Sequence, residues 1–112
     1  MHELAIMESI VDAVIERVGD AQVIRVRLEI GKLSGVVPDA LRFCFELATA
    51  ETPLAGAMLE IIEIPGRARC MQCLEDVELE DRVALCDCGS ANLDFISGQE
   101  LKIKDVEVAP DV

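Results

Sequence analysis

Tryptophan and tyrosine are absent from this 112-residue sequence, and three phenylalanines leave aromatics at 3%. The stacking platforms that grip single-stranded nucleic acid are therefore missing. Positive charge is scarce as well: ten Lys and Arg stand against 22 Asp and Glu, a formal net charge of −12. Phosphate backbones and anionic lipid surfaces need the opposite balance, so neither nucleic acid nor a membrane is an expected partner. The acidity reads as solvated surface charge and, more sharply, as a preference for cations and basic partners. No apolar run reaches the ~18 residues of a membrane span. Met1-His2-Glu3-Leu4 offers neither a basic n-region nor an apolar h-region, so no secretory signal is read and a cytoplasmic protein is expected. The chain has one histidine, His2, and no serine or cysteine with a base nearby in sequence. A nucleophilic dyad is thus not visible, and the expectation is a protein that is not an enzyme.

What the chain does have is apolar mass, 52% of its residues, enough for the core of one domain. Leu4, Met7, Ile10, Val11, Val14, Ile15 and Val18 recur at three and four, with Glu8, Asp12, Glu16 and Arg17 between them. That period predicts a helix over 4–18, stopped by Gly19. Over 22–30 the period changes to two: Ile24, Val26, Leu28 and Ile30 alternate with Arg25, Arg27 and Glu29, the pattern of a strand with one buried face. A second helix is expected from Pro38 through Leu41, Phe43, Cys44, Phe45, Leu47 and Ala48, ending before Pro53. Cys44 reads there as a small buried hydrophobe. Residues 57–65 predict a second strand, with Leu59, Ile61 and Ile64 inward and a bulge or two-sided burial at Ile61-Ile62. Residues 99–108 predict a third, with a phase shift near Lys104-Asp105.

Strand, helix and strand over 22–65 form a crossover unit, which makes those two strands parallel. The expected fold is α+β: a small three-stranded sheet with two helices on one face, plus an inserted zinc-ribbon-like module. The main domain is read as 1–65 and 99–112, and the insertion as 66–98. The insertion has too few apolar residues to fold alone and needs a staple.

Five cysteines, four of them inside 70–88, argue against a disulfide framework, since the count is odd and no secretory signal is read. Cys70-x-x-Cys73, twelve residues, then Cys86-x-Cys88-Gly89 is the layout of two thiol pairs across a short hairpin. Four thiolates select a borderline-soft metal and reject Mg and Ca, and structural zinc is the expected occupant. In small zinc peptides such a site contributes about 10–16 kcal/mol, sufficient to fold the insertion. The second pair is C-x-C rather than C-x-x-C. Cys86 and Cys88 then point the same way from an extended segment, but the sharp turn of a C-x-x-C knuckle is not expected, and Asp87 or another chain is a conceivable extra ligand. A redox pair is the competing reading of these thiols.

At the other end, a free amine, ionised backbone amides and the His2 imidazole can surround a metal in a plane. Square-planar nitrogen is the geometry of Ni(II) or Cu(II), not of Zn(II). Histidine is large, so Met1 is expected to be retained ahead of it.

Together these stretches resemble the HypA/HybF family of nickel metallochaperones over nearly the whole length. The resemblance is carried by Met1-His2-Glu3, Ile30-Gly31-Lys32-Leu33-Ser34, and Pro38 with Leu41-Arg42-Phe43-Cys44-Phe45-Glu46-Leu47. It continues through the cysteine cluster with Gly89-Ser90 and the closing Glu100-Leu101-x-Ile103. It implies delivery of nickel to the large subunit of [NiFe]-hydrogenase, and for some members to urease, alongside the nickel-handling GTPase HypB. It implies Ni(II) as cargo on Met1, His2 and Glu3: the Met1 amine, the His2 imidazole as principal ligand, and the backbone of His2 and Glu3. It also implies structural Zn(II) on Cys70, Cys73, Cys86 and Cys88, in a monomer or weak homodimer. Where the family has Cys-Pro-x-Cys-Gly, this chain has Cys86-Asp87-Cys88-Gly89, one residue shorter. Two other readings compete: a zinc-ribbon adaptor in which metal only builds a docking surface, and a thiol oxidoreductase.

Overall fold

A computed structural model describes residues 2–80 and 85–110. Helix α1 spans Glu3–Val18 and α2 spans Pro38–Thr49. The strands are β1 (Val23–Gly31), β2 (Met58–Ile64), β3 (Gly66–Cys70), β4 (Asp76–Leu79), β5 (Leu93–Ser97) and β6 (Leu101–Val108). They form two three-stranded sheets, ordered β2-β1-β6 and β4-β3-β5. The chain is thus α+β, as the alternation of periods predicts.

The chain divides into two compact units. One comprises 1–28, 36–62 and 103–112, the other 29–35 and 63–102. In the first, α1 and α2 pack against each other. The seam of α1 is Met7, Val11 and Val14, all buried at i, i+4 and i+7. The sequence stripe is wider than this seam: Leu4 lies near one edge of it and is 41% exposed. Gly19 ends the helix with φ +64, a left-handed backbone that glycine adopts without a Cβ penalty, and its N–H bonds the Ile15 carbonyl at 2.8 Å. In α2 the seam is Leu41, Phe45 and Thr49, and the buried Thr49 hydroxyl donates to the Phe45 carbonyl at 2.7 Å. Cys44, read as buried, is only half-buried, because it sits at the flank of that seam rather than on it.

Backbone bonds give the strand directions. The Val23 N–H donates to the Pro53 carbonyl at 3.1 Å and the Lys32 N–H to that of Ile64 at 2.9 Å, so β1 and β2 start and finish together and are parallel. The Gly31 N–H donates to the Glu100 carbonyl at 2.7 Å, and the Ala109 N–H to that of Gln22 at 2.8 Å, so β6 is antiparallel to β1. Val26 and Leu28 of β1 are fully buried, while Arg25 and Arg27 on the opposite face are half-exposed and ion-paired. Ile24, placed inward by the alternation, is 37% exposed, and the neighbouring Val23 is buried instead. The phase shift in β6 is present: Ile103 and Val106 are half-buried, and Lys104 and Asp105 between them are exposed.

The second sheet was not legible as strands. Strand β3 pairs antiparallel with β4, Ala68 opposite Val77, and with β5, Cys70 opposite Leu93. Its inward residues are Gly66, Ala68 and Cys70, side chains too small to show a hydrophobic face in sequence. They are covered by Leu33 and Leu79, with Val77 and Leu93 against them. Residues 29–35 accordingly pack with the second unit, because Leu33 enters its core. A Cβ on Gly31 would stand 1.9 Å from the Gly98 carbonyl oxygen, so the backbones touch where only glycine fits.

Candidate metal centre

Two tight loops bring the four clustered thiols together. The first follows β3: the Leu74 N–H bonds the Cys70 carbonyl at 2.8 Å and the Cys70 N–H bonds the Glu75 carbonyl at 2.8 Å. The second is the same device one residue shorter. Its Gly89 N–H bonds the Cys86 carbonyl at 2.8 Å and its Cys86 N–H bonds the Ser90 carbonyl at 2.9 Å. Each loop sets a left-handed residue directly after its second cysteine, Leu74 at φ 66 and Gly89 at φ 92. The sharp turn not expected of Cys86-Asp87-Cys88 is therefore present, and the lost residue comes out of the turn, not out of the thiol geometry. The Met71 N–H donates to the Asn92 carbonyl at 2.9 Å and joins the first loop to the chain beyond the second.

All four Sγ atoms lie within 4.8 Å of one another. The short approaches run between loops, Cys70 to Cys88 and Cys73 to Cys86, each 3.6 Å. A zinc ion at about 2.3 Å from four sulfurs spaces them about 3.8 Å apart, so the thiols fit a tetrahedral Zn(II) with little adjustment. Asp87 is not a member of the cluster. Cys70 and Cys86 are buried while Cys73 and Cys88 are exposed, so one edge of the cluster faces solvent.

Electrostatics favour a cation here. The backbone N–H of Cys73 points at the Cys70 sulfur and, with that of Gln72, draws its pKa down to about 6 against the burial that opposes it. At Cys73 the N–H of Glu75 favours the thiolate, but the contact with Cys86 and local desolvation outweigh it and raise the pKa. At Cys86 the N–H of Cys88 acts likewise and is outweighed by burial and the adjoining sulfurs, so this pKa is raised too. Four sulfurs cannot all hold negative charge this close without a cation among them; a divalent ion removes the conflict.

His2 lies far from this cluster in sequence, at the N-cap of α1. It is exposed, its side chain makes no capping bond, and its carbonyl accepts the Ile6 N–H at 3.0 Å. Glu3 is the first helical residue and is half-buried. Met1, expected to supply an amine, lies outside the described residues. Sequence reasoning singled out the cysteines and Gly89-Ser90 but not Leu74 or Asn92, which shape and join the loops. Leu74 carries no signal, because its conformation is imposed by the turn.

Among the described residues no helix is long and apolar enough to cross a membrane. The comparisons with known proteins agree with one another. Residues 1–108 match a family model described as hydrogenase/urease nickel incorporation, metallochaperone, hypA. The chain is similar to the hydrogenase maturation factor HypA of Trichormus variabilis, 54% identical over 108 residues covering 96% of each chain. It is also similar to that of Geobacter metallireducens, 43% identical over 96% of this chain and 99% of the other. In fold it resembles the solution structure of the Ni metallochaperone HypA from Helicobacter pylori, with a TM-score of 0.67, 21% identity, and 99% and 100% of the two chains covered. With a family match over almost its full length and close relatives beside it, the chain belongs to the HypA family of nickel-incorporation metallochaperones.

Proposed function

We propose that this protein captures Ni(II) at its N-terminus and delivers it during maturation of [NiFe]-hydrogenase, with urease as a second acceptor class. Nickel is cargo here. Its ligands are the Met1 amine, the His2 imidazole and the backbone nitrogens of His2 and Glu3, in a main domain of 1–65 and 99–112. Cys70, Cys73, Cys86 and Cys88 hold a structural zinc in the insertion 66–98, four residues of which (81–84) lie outside the described residues. The nickel-handling GTPase HypB and the hydrogenase large subunit are its partners.

One observation carries the nickel reading: the exposed, uncapped His2 adjoins the first turn of α1. Backbone N–H groups at a helix start have no intrahelical acceptor, so losing a proton to a metal breaks no helical bond. The positive end of the helix dipole also favours the anionic nitrogen that results. A single imidazole beside a chain end binds firmly enough to capture and exchanges readily enough to release. Protons compete for the same nitrogens, so affinity falls as pH drops.

The test is a nickel titration of untagged protein followed by absorption, with zinc content measured alongside. Wild type is expected to take one Ni(II) per chain with a planar d–d band, and His2→Ala to lose it while keeping zinc. One-to-one nickel binding undiminished in His2→Ala overturns the assignment. Zinc without any nickel uptake in the wild type supports the adaptor reading instead.

A further inference from the structure

We infer that the four-cysteine cluster is also a site of reversible oxidation by peroxides, in which disulfides Cys70–Cys88 and Cys73–Cys86 form between the loops and zinc is released. This rests on the zinc reading above. The pairing comes from the short sulfur–sulfur approaches, and the burial of the sulfurs sets the order of attack. The 3.6 Å approaches join one loop to the other, not the two cysteines within a loop. Each of these pairs also contains one exposed sulfur, Cys88 or Cys73, and one buried sulfur, Cys70 or Cys86. An oxidant arriving from solvent therefore meets one member of each pair, and the other waits beside it, shielded from the oxidant.

Bound zinc keeps the sulfurs as thiolates, the nucleophilic form. The exposed thiolate attacks one oxygen of the peroxide. The O–O bond breaks, the sulfur becomes a sulfenic acid, and the departing hydroxide takes a proton from solvent to leave as water. The buried thiolate then attacks the sulfenic sulfur. The S–O bond breaks, a second hydroxide leaves as water with another solvent proton, and the disulfide is closed. Each pair gives up two electrons to one peroxide, so two peroxides oxidise the cluster. Zinc departs unchanged as Zn(II), since disulfide sulfur is a poor ligand. Closing each pair from 3.6 Å to a disulfide length of about 2.05 Å needs an approach of about 1.5 Å. A bond inside Cys86-Asp87-Cys88 would instead have to close a very small ring against the turn held by the Gly89 N–H. The two cross-links staple the same loops that zinc joined, so the oxidised module keeps its fold and loses its metal until a thiol reductant reopens it.

The test uses the full untagged chain, zinc-loaded, with Cys44→Ser to remove the fifth thiol, which lies outside the cluster. Hydrogen peroxide is added stepwise under argon. Zinc release is read with a colorimetric chelator, free thiols are counted, and peptides are mapped without reduction. The expected result is loss of all four thiols per zinc released, cross-linked peptides joining Cys70 to Cys88 and Cys73 to Cys86, and recovery of thiols and zinc binding with dithiothreitol. In Cys88→Ser, Cys73–Cys86 still forms and Cys70 stays reduced. Predominant links within a loop, or irreversible sulfinic acids in place of disulfides, overturn the inference. Protein that never holds zinc ends the zinc reading instead, and mapping its metal-free thiols then decides the pairing by itself.

Discussion

At single positions, the sharpest constraints are on backbone shape. Leu74 holds φ 66 with its side chain 67% exposed, so it carries the cost of a left-handed residue and recovers little by burial. Leu74→Gly is expected to stabilise the first cysteine loop by about 1 kcal/mol, read as a higher zinc affinity in chelator competition. A β-branched replacement there should weaken it. Gly31 is constrained the other way. With the Gly98 carbonyl 1.9 Å from a would-be Cβ, Gly31→Ala must push two backbones apart, and a loss of about 3 kcal/mol is expected in urea unfolding. These two positions differ because a turn tolerates a strained side chain that points into water, whereas a strand touching a second backbone segment tolerates no side chain at all.

At the level of elements, the two phenylalanines flanking Cys44 separate packing from exposure. Phe45 is 5% exposed in the α2 seam and Phe43 is 66% exposed. Phe45→Ala is expected to cost about 3–5 kcal/mol, and Phe43→Ala no more than about 0.5 kcal/mol, in the same denaturation assay. On the open face of β1, Arg25 reaches Glu60 of β2 at 3.5 Å and Glu107 of β6 at 3.4 Å, while Arg27 donates to both oxygens of Asp105 through Nε and Nη2. The Arg27 hydrogen bond holds the Asp105 carboxyl below its ordinary value of 3.8. A carboxyl depressed on folding adds stability above its unfolded pKa and loses it as pH falls through the folded one. Asp105→Asn should therefore lower the urea midpoint at pH 7 and converge with wild type only as pH falls below 3.8 and through the depressed folded pKa, where the native carboxyl is protonated too. A difference that persists in strong acid would assign Asp105 a packing role instead.

Across the whole molecule, the unit 29–35 with 63–102 has a small core of Leu33, Ala68 and Leu79. So thin a core is expected to depend on a metal held by the four thiols proposed above as zinc ligands. Removing zinc with a chelator should abolish hydrogen-exchange protection in β3, β4 and β5 while the amides of α1 and α2 keep theirs. Protection kept in those strands without metal would mean the sheet stands on its own side chains. The first unit, with its seam of Met7, Val11, Val14, Leu41 and Phe45, needs no such staple.

Much of this architecture was legible before any coordinates. Helices and strands with a large apolar face announce themselves by period, so α1, β1, α2, β2 and β6 were readable to within a residue or two. That the four thiols gather in one place was readable from spacing alone, because two short loops bring them close. What the chain could not disclose were features set by contacts between distant segments. The second sheet hides because the inner face of its central strand β3 is glycine, alanine and cysteine. Leu33 enters the second core from a loop 35 residues away from Ala68. The pairing of Cys70 with Cys88 and of Cys73 with Cys86 runs across loops and follows from no local rule. Periodicity is a property of neighbouring residues and survives in the sequence, whereas register, glycine contacts and thiol pairing belong to segments that meet only when the chain has folded.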